Sequence, residues 1–306
     1  MTYQLSKKKA FVCDLDGTLF MGAKPIPPAV DFVIRSTKSG RFRFFFLTNN
    51  TSKNPSEYLK KISGAAIPVD ESQILTPLIT LESYIRQKGY KSVYLVSTEA
   101  VKLHMAERLA DAGVTLEYDP EKNELIALTY DKELTYEKLR RITALWNMRN
   151  GCEAARAVGQ GCASEKAGLE DTSIQAGTSL VSLRAIEGAP VDFVATHPDN
   201  CCPSEEGPIP DVGGFLKLLE TTNGMKPSHV FGKPSPTLLE PVLANFKKEE
   251  ITVVGDRLYT DKAIADNAGV DFICVLSGET TRADLENYQG TPPALTLNHF
   301  GEVEQY

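Results

Sequence analysis

The chain has 306 residues, 42% of them hydrophobic and 24% charged, with a net charge of −7. That length leaves room for two domains and at least one sizeable core. The acidic balance, with Lys7-Lys8-Lys9 as its basic run, argues against a nucleic-acid partner, and no apolar stretch approaches the roughly 20 residues that span a bilayer.

The first predicted element is a buried strand over Phe11-Val12-Cys13, ending abruptly in Asp14-Leu15-Asp16-Gly17-Thr18. Two carboxylates that close repel each other, and a divalent metal with oxygen ligands relieves the repulsion. A surface turn with two solvated aspartates is the alternative for this segment alone. Pro25-Ile26-Pro27-Pro28 opens a helix near Ala29–Lys38, closed by Ser39-Gly40. A second apolar run, Phe42–Leu47, stops in Thr48-Asn49-Asn50-Thr51-Ser52. Asn54-Pro55-Ser56-Glu57 then starts a helix, and another covers Thr76–Lys88 before Gly89.

From Tyr90 a fresh alternation begins, with strands expected at Ser92–Val96, Val114–Glu117 and Leu125–Thr129 and helices at Glu99–Ala110 and Tyr136–Trp146. This reads as a separate small α/β unit. Residues 150–188, rich in Gly, Ala and Ser, break the rhythm, and an irregular stretch that long inside a compact domain is unusual. A strand resumes at Val191–Ala195, Cys202–Pro210 is a proline-glycine loop that could serve as a hinge, and Val212–Glu220 is helical. In the last third, His229-Val230-Phe231 runs into Gly232-Lys233-Pro234, and Ile251–Val254 runs into Gly255-Asp256-Arg257, with Asp261 five residues beyond Asp256. Helices are expected near Pro236–Asn245 and Lys262–Ala268, and a strand at Asp271–Val275.

Four apolar strands thus end in polar groups and are separated by helical patterns. In an open parallel sheet, ligands bind beyond the carboxyl ends of the strands. All four ends would then converge, bringing Asp14, Asp16, Thr48, Asn49, Asn50, Lys233, Asp256 and Asp261 to one cleft. Carboxylates for a hard metal, hydroxyl and amide donors and one ammonium suit phosphoryl transfer. One carboxylate can take the phosphoryl group, and another, two residues along, can move the proton.

Asp14-Leu15-Asp16-Gly17-Thr18-Leu19, Leu47-Thr48-Asn49-Asn50, Gly232-Lys233-Pro234 and Gly255-Asp256-Arg257-Leu258-Tyr259-Thr260-Asp261 together resemble the four motifs of the haloacid dehalogenase superfamily, in its class IIA branch of 4-nitrophenylphosphatase-like sugar and nucleotide phosphatases. Ala195-Thr196-His197-Pro198-Asp199, Pro208-Ile209-Pro210-Asp211, Asp266-Asn267-Ala268-Gly269 and Val275-Leu276-Ser277-Gly278-Glu279-Thr280 resemble further signatures of that branch. The resemblance covers nearly the whole chain apart from residues 150–188. It implies an α/β fold, a Rossmann-like parallel-sheet core with a smaller α/β cap inserted between the second and third motifs. The expected parts are a core over 1–83, a cap over 84–206 and a returning core over 207–306. It further implies Asp14 as nucleophile and Mg²⁺ ligand, Asp16 as general acid/base with its backbone carbonyl on the metal, and Thr48 with the Asn49 amide on the phosphoryl oxygens. Lys233 would neutralise nucleophile and phosphate, Asp256 would ligate Mg²⁺, and Asp261 would support the metal or the lysine.

The expected activity is Mg²⁺-dependent hydrolysis of small phosphomonoesters (nucleotide, sugar, glycerol or glycolate phosphates) through an aspartyl-phosphate. A phosphotransferase and a catalytically silent binding protein on the same fold are the rivals. In this branch the loop after the last cap strand faces the active site, which makes His197, Asp199 and Cys202 candidates for substrate contact; His197 could equally order that loop. The six cysteines form no disulfide framework or zinc spacing. With no apolar secretion signal at the N-terminus, a reducing cytoplasm is expected. A small phosphorylated metabolite is the expected partner, with a homo-oligomer possible.

Overall fold

The computed structural model describes residues 3–150, 189–202 and 206–306. The expected insert at 150–188 lies, but for Asn150, outside these residues. The described chain is built on two parallel sheets. The larger has six strands: β1 (Ala10–Asp14), β4 (Arg43–Leu47), β5 (Ile74–Leu75), β12 (Ile251–Gly255), β13 (Asp271–Val275) and β14 (Leu295–Leu297). Their order is β14-β13-β12-β1-β4-β5, all parallel. The second has four strands: β6 (Val93–Val96), β7 (Leu125–Leu128), β8 (Asp192–Ala195) and β11 (His229–Val230), in the order β11-β8-β7-β6. Between β1 and α1 (Pro27–Lys38) a hairpin of β2 (Phe20–Met21) and β3 (Lys24–Pro25) projects from the larger sheet.

β1 sits at the centre because both of its faces are apolar, the pattern of a strand covered on two sides. Phe11 and Cys13 enter one hydrophobic cluster, Ala10 and Val12 the other. Phe11 meets the rings of Phe42, Phe300, Phe44 and Phe32 at centroid distances of 5.0, 5.2, 5.7 and 6.4 Å. Truncating a buried phenylalanine of this kind costs about 3–5 kcal/mol. From β1 the chain builds outward to β4 and β5 on one side, and later to β12, β13 and β14 on the other. The strand order therefore reverses between β1 and β12, where an open α/β sheet leaves a crevice.

α2 (Pro55–Gly64) starts where Asn54 and Glu57 predict it. Asn54 Oδ1 accepts from the Glu57 N–H at 3.1 Å, and Glu57 Oε2 accepts from the Asn54 N–H at 3.0 Å. α3 (Pro77–Lys88) is capped by Thr76 and stopped by Gly89 in the left-handed conformation. α4 (Glu99–Leu109) and α5 (Tyr136–Asn150) follow as expected, with the small shifts of terminus common to helices.

Three expectations need correction. The third polar-ended strand does not join the larger sheet: His229–Val230 pairs parallel with β8, and Phe231 packs with Leu78, Val93 and Val194. α3 buries Leu78, Leu81 and Ile85 with β6 and β7, while α6 (Val212–Asn223) buries Val212 and Leu219 against the other face of the same sheet. Val114–Glu117 forms no strand. Gly113 in the left-handed region and the turn at Asp119 leave space for a single bridge, Ser92 to Thr115. The predicted helix Pro236–Asn245 is split into a 3₁₀ turn, Pro236–Leu239, and a one-turn α7 (Glu240–Leu243), because Pro241 has no N–H with which to continue the ladder. The proline-glycine loop is closed by a two-residue pairing of β9 (Cys201–Cys202) with β10 (Ile209–Pro210).

Candidate active site

β1, β4 and β12 end at the same edge of the larger sheet, and the loop after β11 reaches over from the second sheet to meet them. Asp14, Asp256 and Asp261 are buried there, each offering a carboxylate oxygen within 4.8 Å of the others. The Lys233 ammonium stands among them. Its Nζ donates to Asp14 Oδ1 at 2.5 Å and to Asp261 Oδ1 at 2.6 Å. Asp261 Oδ2 accepts from the Arg257 N–H at 3.0 Å, which fixes the carboxylate on the turn that follows β12.

Asp256 is held differently. Its Oδ2 accepts from the Glu279 N–H at 2.7 Å, whereas its Oδ1 is buried and makes no hydrogen bond among the described residues. The loop after β13 supplies that N–H, and the Ser277 hydroxyl donates to the Gly17 carbonyl at 2.7 Å, tying this loop to the turn after β1. These close approaches require glycine. A Cβ on Gly17, at φ +91°, would lie 2.3 Å from Asp256 Oδ2, and one on Gly278 would lie 2.0 Å from the same atom.

Burial shifts the ionisation of these groups. It pushes the Asp14 carboxyl well up, an effect opposed by Lys233 and reinforced by Asp261 and Asp256. Asp256 is raised to about 6 by burial and by the neighbouring charge of Asp261. For Lys233, burial works against the ammonium, but Asp14 and Asp261 outweigh it and the net shift is upward. With all three carboxylates ionised, one ammonium leaves the cluster two charges short of neutrality. The orphaned Asp256 oxygen, the hard oxygen donors and that charge deficit fit a divalent cation such as Mg²⁺.

The loop after β4 carries Thr48, Asn49 and Asn50. Thr48 is buried, and its Oγ1 accepts from the Asn50 N–H at 3.2 Å. The Asn49 side chain binds the lysine loop by its backbone: Oδ1 accepts from the Lys233 N–H at 2.7 Å, and Nδ2 donates to the Lys233 carbonyl at 3.2 Å. Nδ2 also donates to Asp199 Oδ2 at 3.0 Å. The Asn50 side chain is spent within its own loop, accepting from the Ser52 N–H and hydroxyl at 3.0 and 2.7 Å.

Asp16 is the expected site residue whose carboxylate stands apart from this cluster. Its side chain is 45% exposed and pairs with Lys61 Nζ at 2.8 Å, on α2. His197 is fully buried, with Nε2 2.9 Å from Asp211 Oδ1 and Nδ1 3.1 Å from Thr196 Oγ1. Both ring nitrogens are thereby used in ordering the loop after β8. Asp199 reaches the site through Asn49, while Cys202 is half-buried, its thiol pushed up by burial and by Asp211. The sequence reading did not single out Lys61, Gly278 or Glu279 for a role in the site. Ser277-Gly278-Glu279 at the end of an apolar strand was a usable signal; Lys61 gave none beyond its place on a helix.

A parallel-sheet α/β protein with a buried aspartate ending its central strand, a buried lysine and a carboxylate cluster at the strand ends belongs to a recognisable class of hydrolases. Residues 11–115 match the family described as haloacid dehalogenase-like hydrolase, and residues 230–303 match the HAD-hydrolase-like family. The chain is similar to the 4-nitrophenylphosphatase of Thermotoga maritima, with 30% identity, a TM-score of 0.75, and 99% of this chain and 98% of that one covered. It is 26% identical to the acid sugar phosphatase of Staphylococcus aureus over 302 residues, 98% of each chain. The p-nitrophenyl phosphatase from Archaeoglobus fulgidus shares the fold, with a TM-score of 0.74 at 23% identity over 97% of this chain and 98% of that one. The chain belongs to the haloacid dehalogenase-like hydrolases, in the 4-nitrophenylphosphatase-like class IIA branch.

Proposed function

We propose that this protein is a Mg²⁺-dependent phosphatase of small phosphomonoesters that works through an aspartyl-phosphate on Asp14. The observation that carries the reading is the buried set of Asp14, Lys233 and Asp261 beside Asp256 with its unpartnered oxygen, at the carboxyl edge of the sheet. The names of the relatives, a sugar phosphatase and two nitrophenylphosphatases, support the same substrate class.

In this reading an Asp14 oxygen attacks phosphorus and the bond to the leaving oxygen breaks. Asp16 turns from Lys61 to give that oxygen its proton, and then takes a proton from the water that cleaves the Asp14–phosphorus bond. The Thr48 hydroxyl and the Asn49 N–H hold peripheral phosphoryl oxygens, while Lys233 restrains and neutralises the Asp14 carboxylate. Mg²⁺, when bound by Asp14, Asp256 and the Asp16 carbonyl with support from Asp261, supplies the remaining neutralising charge. The four-stranded sheet and its helices act as a cap that excludes bulk water. The composition suits a cytoplasmic enzyme.

The test is release of 4-nitrophenol from 4-nitrophenyl phosphate with Mg²⁺, its loss with chelator, and its loss in Asp14→Asn. An Asp14→Asn protein with full turnover would exclude the mechanism. Transfer of phosphate to an added sugar or alcohol, with none to water, would replace the hydrolase by a phosphotransferase.

A further inference from the structure

A phosphomonoester's leaving group must lie against the acid that protonates it, which in the proposed mechanism is Asp16. Beside Asp16 the β2–β3 hairpin and α2 enclose a cleft of about 450 Å³. Gly22, Ala23, Gly64 and Ala65 keep it open, and its charged lining among the described residues consists of Lys53, Lys60 and Lys61, with no carboxylate. Lys61 joins the cleft to the active site, its ammonium 2.8 Å from Asp16 and 4.7 Å from the centroid of the Phe20 ring. Lys53 and Lys60 are exposed and pair with no acid among the described residues. In a chain with net charge −7, a cleft whose charged lining among the described residues is three ammonium groups is a local reversal of sign.

Taking Asp16 as the acid of the proposed phosphatase, we infer that this cleft receives a second anionic group of the substrate, a carboxylate or second phosphate remote from the phosphate being cleaved. The substrates favoured would then be phosphomonoesters with an anionic tail over esters of uncharged sugars or alcohols. The geometry argues for this in two ways. The leaving group departs on the Asp16 side, and the cleft adjoins Asp16 there through Lys61. Its two uncompensated lysines line the same cleft as Lys61, with small residues leaving a tail space. Selection would then begin in the larger sheet's own appendages, before any contact from the loop after β8.

The experiment compares kcat/KM for pairs that differ in the tail: 6-phosphogluconate against glucose 6-phosphate, and fructose 1,6-bisphosphate against fructose 6-phosphate. The first pair tests a carboxylate, the second a phosphate. The expected result is a preference for the anionic member in one or both pairs. That preference should fall about three- to tenfold in Lys53→Gln/Lys60→Gln, the size expected of two exposed ion contacts. It should also shrink between about 50 and about 500 mM salt, because exposed contacts are screened. Turnover of 4-nitrophenyl phosphate, which has no second anion, is the reference. No preference in wild type, or equal losses on anionic and neutral substrates, would overturn the inference. If no ester is hydrolysed at all, the phosphatase reading falls instead. Calorimetric titration of 6-phosphogluconate then still decides: weaker binding to the double variant supports the cleft, and equal affinity overturns it.

Discussion

Replacing Asn49 by alanine separates what its side chain does from what its backbone does. The N–H proposed to touch phosphate is untouched, but three side-chain hydrogen bonds are lost: from the Lys233 N–H at 2.7 Å, to the Lys233 carbonyl at 3.2 Å, and to Asp199 at 3.0 Å. The Lys233 N–H is then buried without a partner, which costs about 1–3 kcal/mol. Asp199 is only partly buried and can exchange its lost donor for water. The total destabilisation is about 2–4 kcal/mol, which a fold of ordinary stability, about 5–15 kcal/mol, survives. Catalysis suffers more. Lys233 holds its ammonium between Asp14 and Asp261 only while its backbone is pinned, and a displacement of about 1 Å at a reacting centre is worth roughly a hundredfold in rate. In Asn49→Ala, kcat for 4-nitrophenyl phosphate at saturating Mg²⁺ should fall about 10–100-fold with a smaller change in KM, while urea unfolding remains cooperative. A stable Asn49→Ala protein whose kcat stays within about twofold of wild type would refute the reasoning.

Asp14→Asn should lower kcat by about 10³-fold or more while the protein stays folded, measured by single-turnover phosphate release. Gly278→Ala places a methyl 2.0 Å from Asp256 Oδ2 and should raise the Mg²⁺ concentration for half-maximal activity about 10–100-fold. Asp256, raised to about 6 in the fold, binds a proton more tightly folded than unfolded. Its contribution to metal-free stability is therefore full below the ordinary carboxylate pKa and disappears as pH rises through about 6. Mg²⁺ affinity must follow the opposite course, rising with pH through about 6 as Asp256 gives up its proton, as calorimetric titration across that range would detect.

The larger sheet was legible because buried parallel strands are continuous apolar runs, and Phe11-Val12-Cys13, Phe42–Leu47 and Ile251–Val254 read that way without ambiguity. Their polar endings named most of the cluster in advance. The sheet to which a short strand belongs was not legible: His229-Val230-Phe231 looks the same whether it pairs with β12 or β8, and only Phe231's fit among Leu78, Val93 and Val194 decides. Val114–Glu117 alternates as a strand should, yet the turns on either side leave it one bridge. The sequence points only to the backbone of Asn49, because its side-chain partner Lys233 is 184 residues away. Lys61 was missed for the same reason, since its pairing with Asp16 over 45 residues arises from where α2 packs and not from any local pattern.

The charge of the carboxylate cluster has a consequence for stability that tests the metal site without measuring turnover. Gly17, Gly255 and Gly278 let backbone press against Asp256 and Asp261, so these carboxylates are fixed close together and cannot move apart to relieve repulsion. Without a cation, ionised Asp256 is then a liability; with one, it is a ligand. Asp256→Asn should accordingly make the chelated protein more stable than wild type at pH 7.5, since an amide oxygen can still accept from the Glu279 N–H at this position. Mg²⁺ should reverse the order. At a hundred times its Kd it stabilises wild type by about 2.7 kcal/mol, or roughly 4 °C for a chain of this size, and the variant, lacking that ligand, by much less. Differential scanning calorimetry of the two proteins with chelator and with Mg²⁺ would show the crossing. If Asp256→Asn is less stable than wild type in chelator, or gains as much from Mg²⁺, then Asp256 is a structural carboxylate and the metal is held elsewhere.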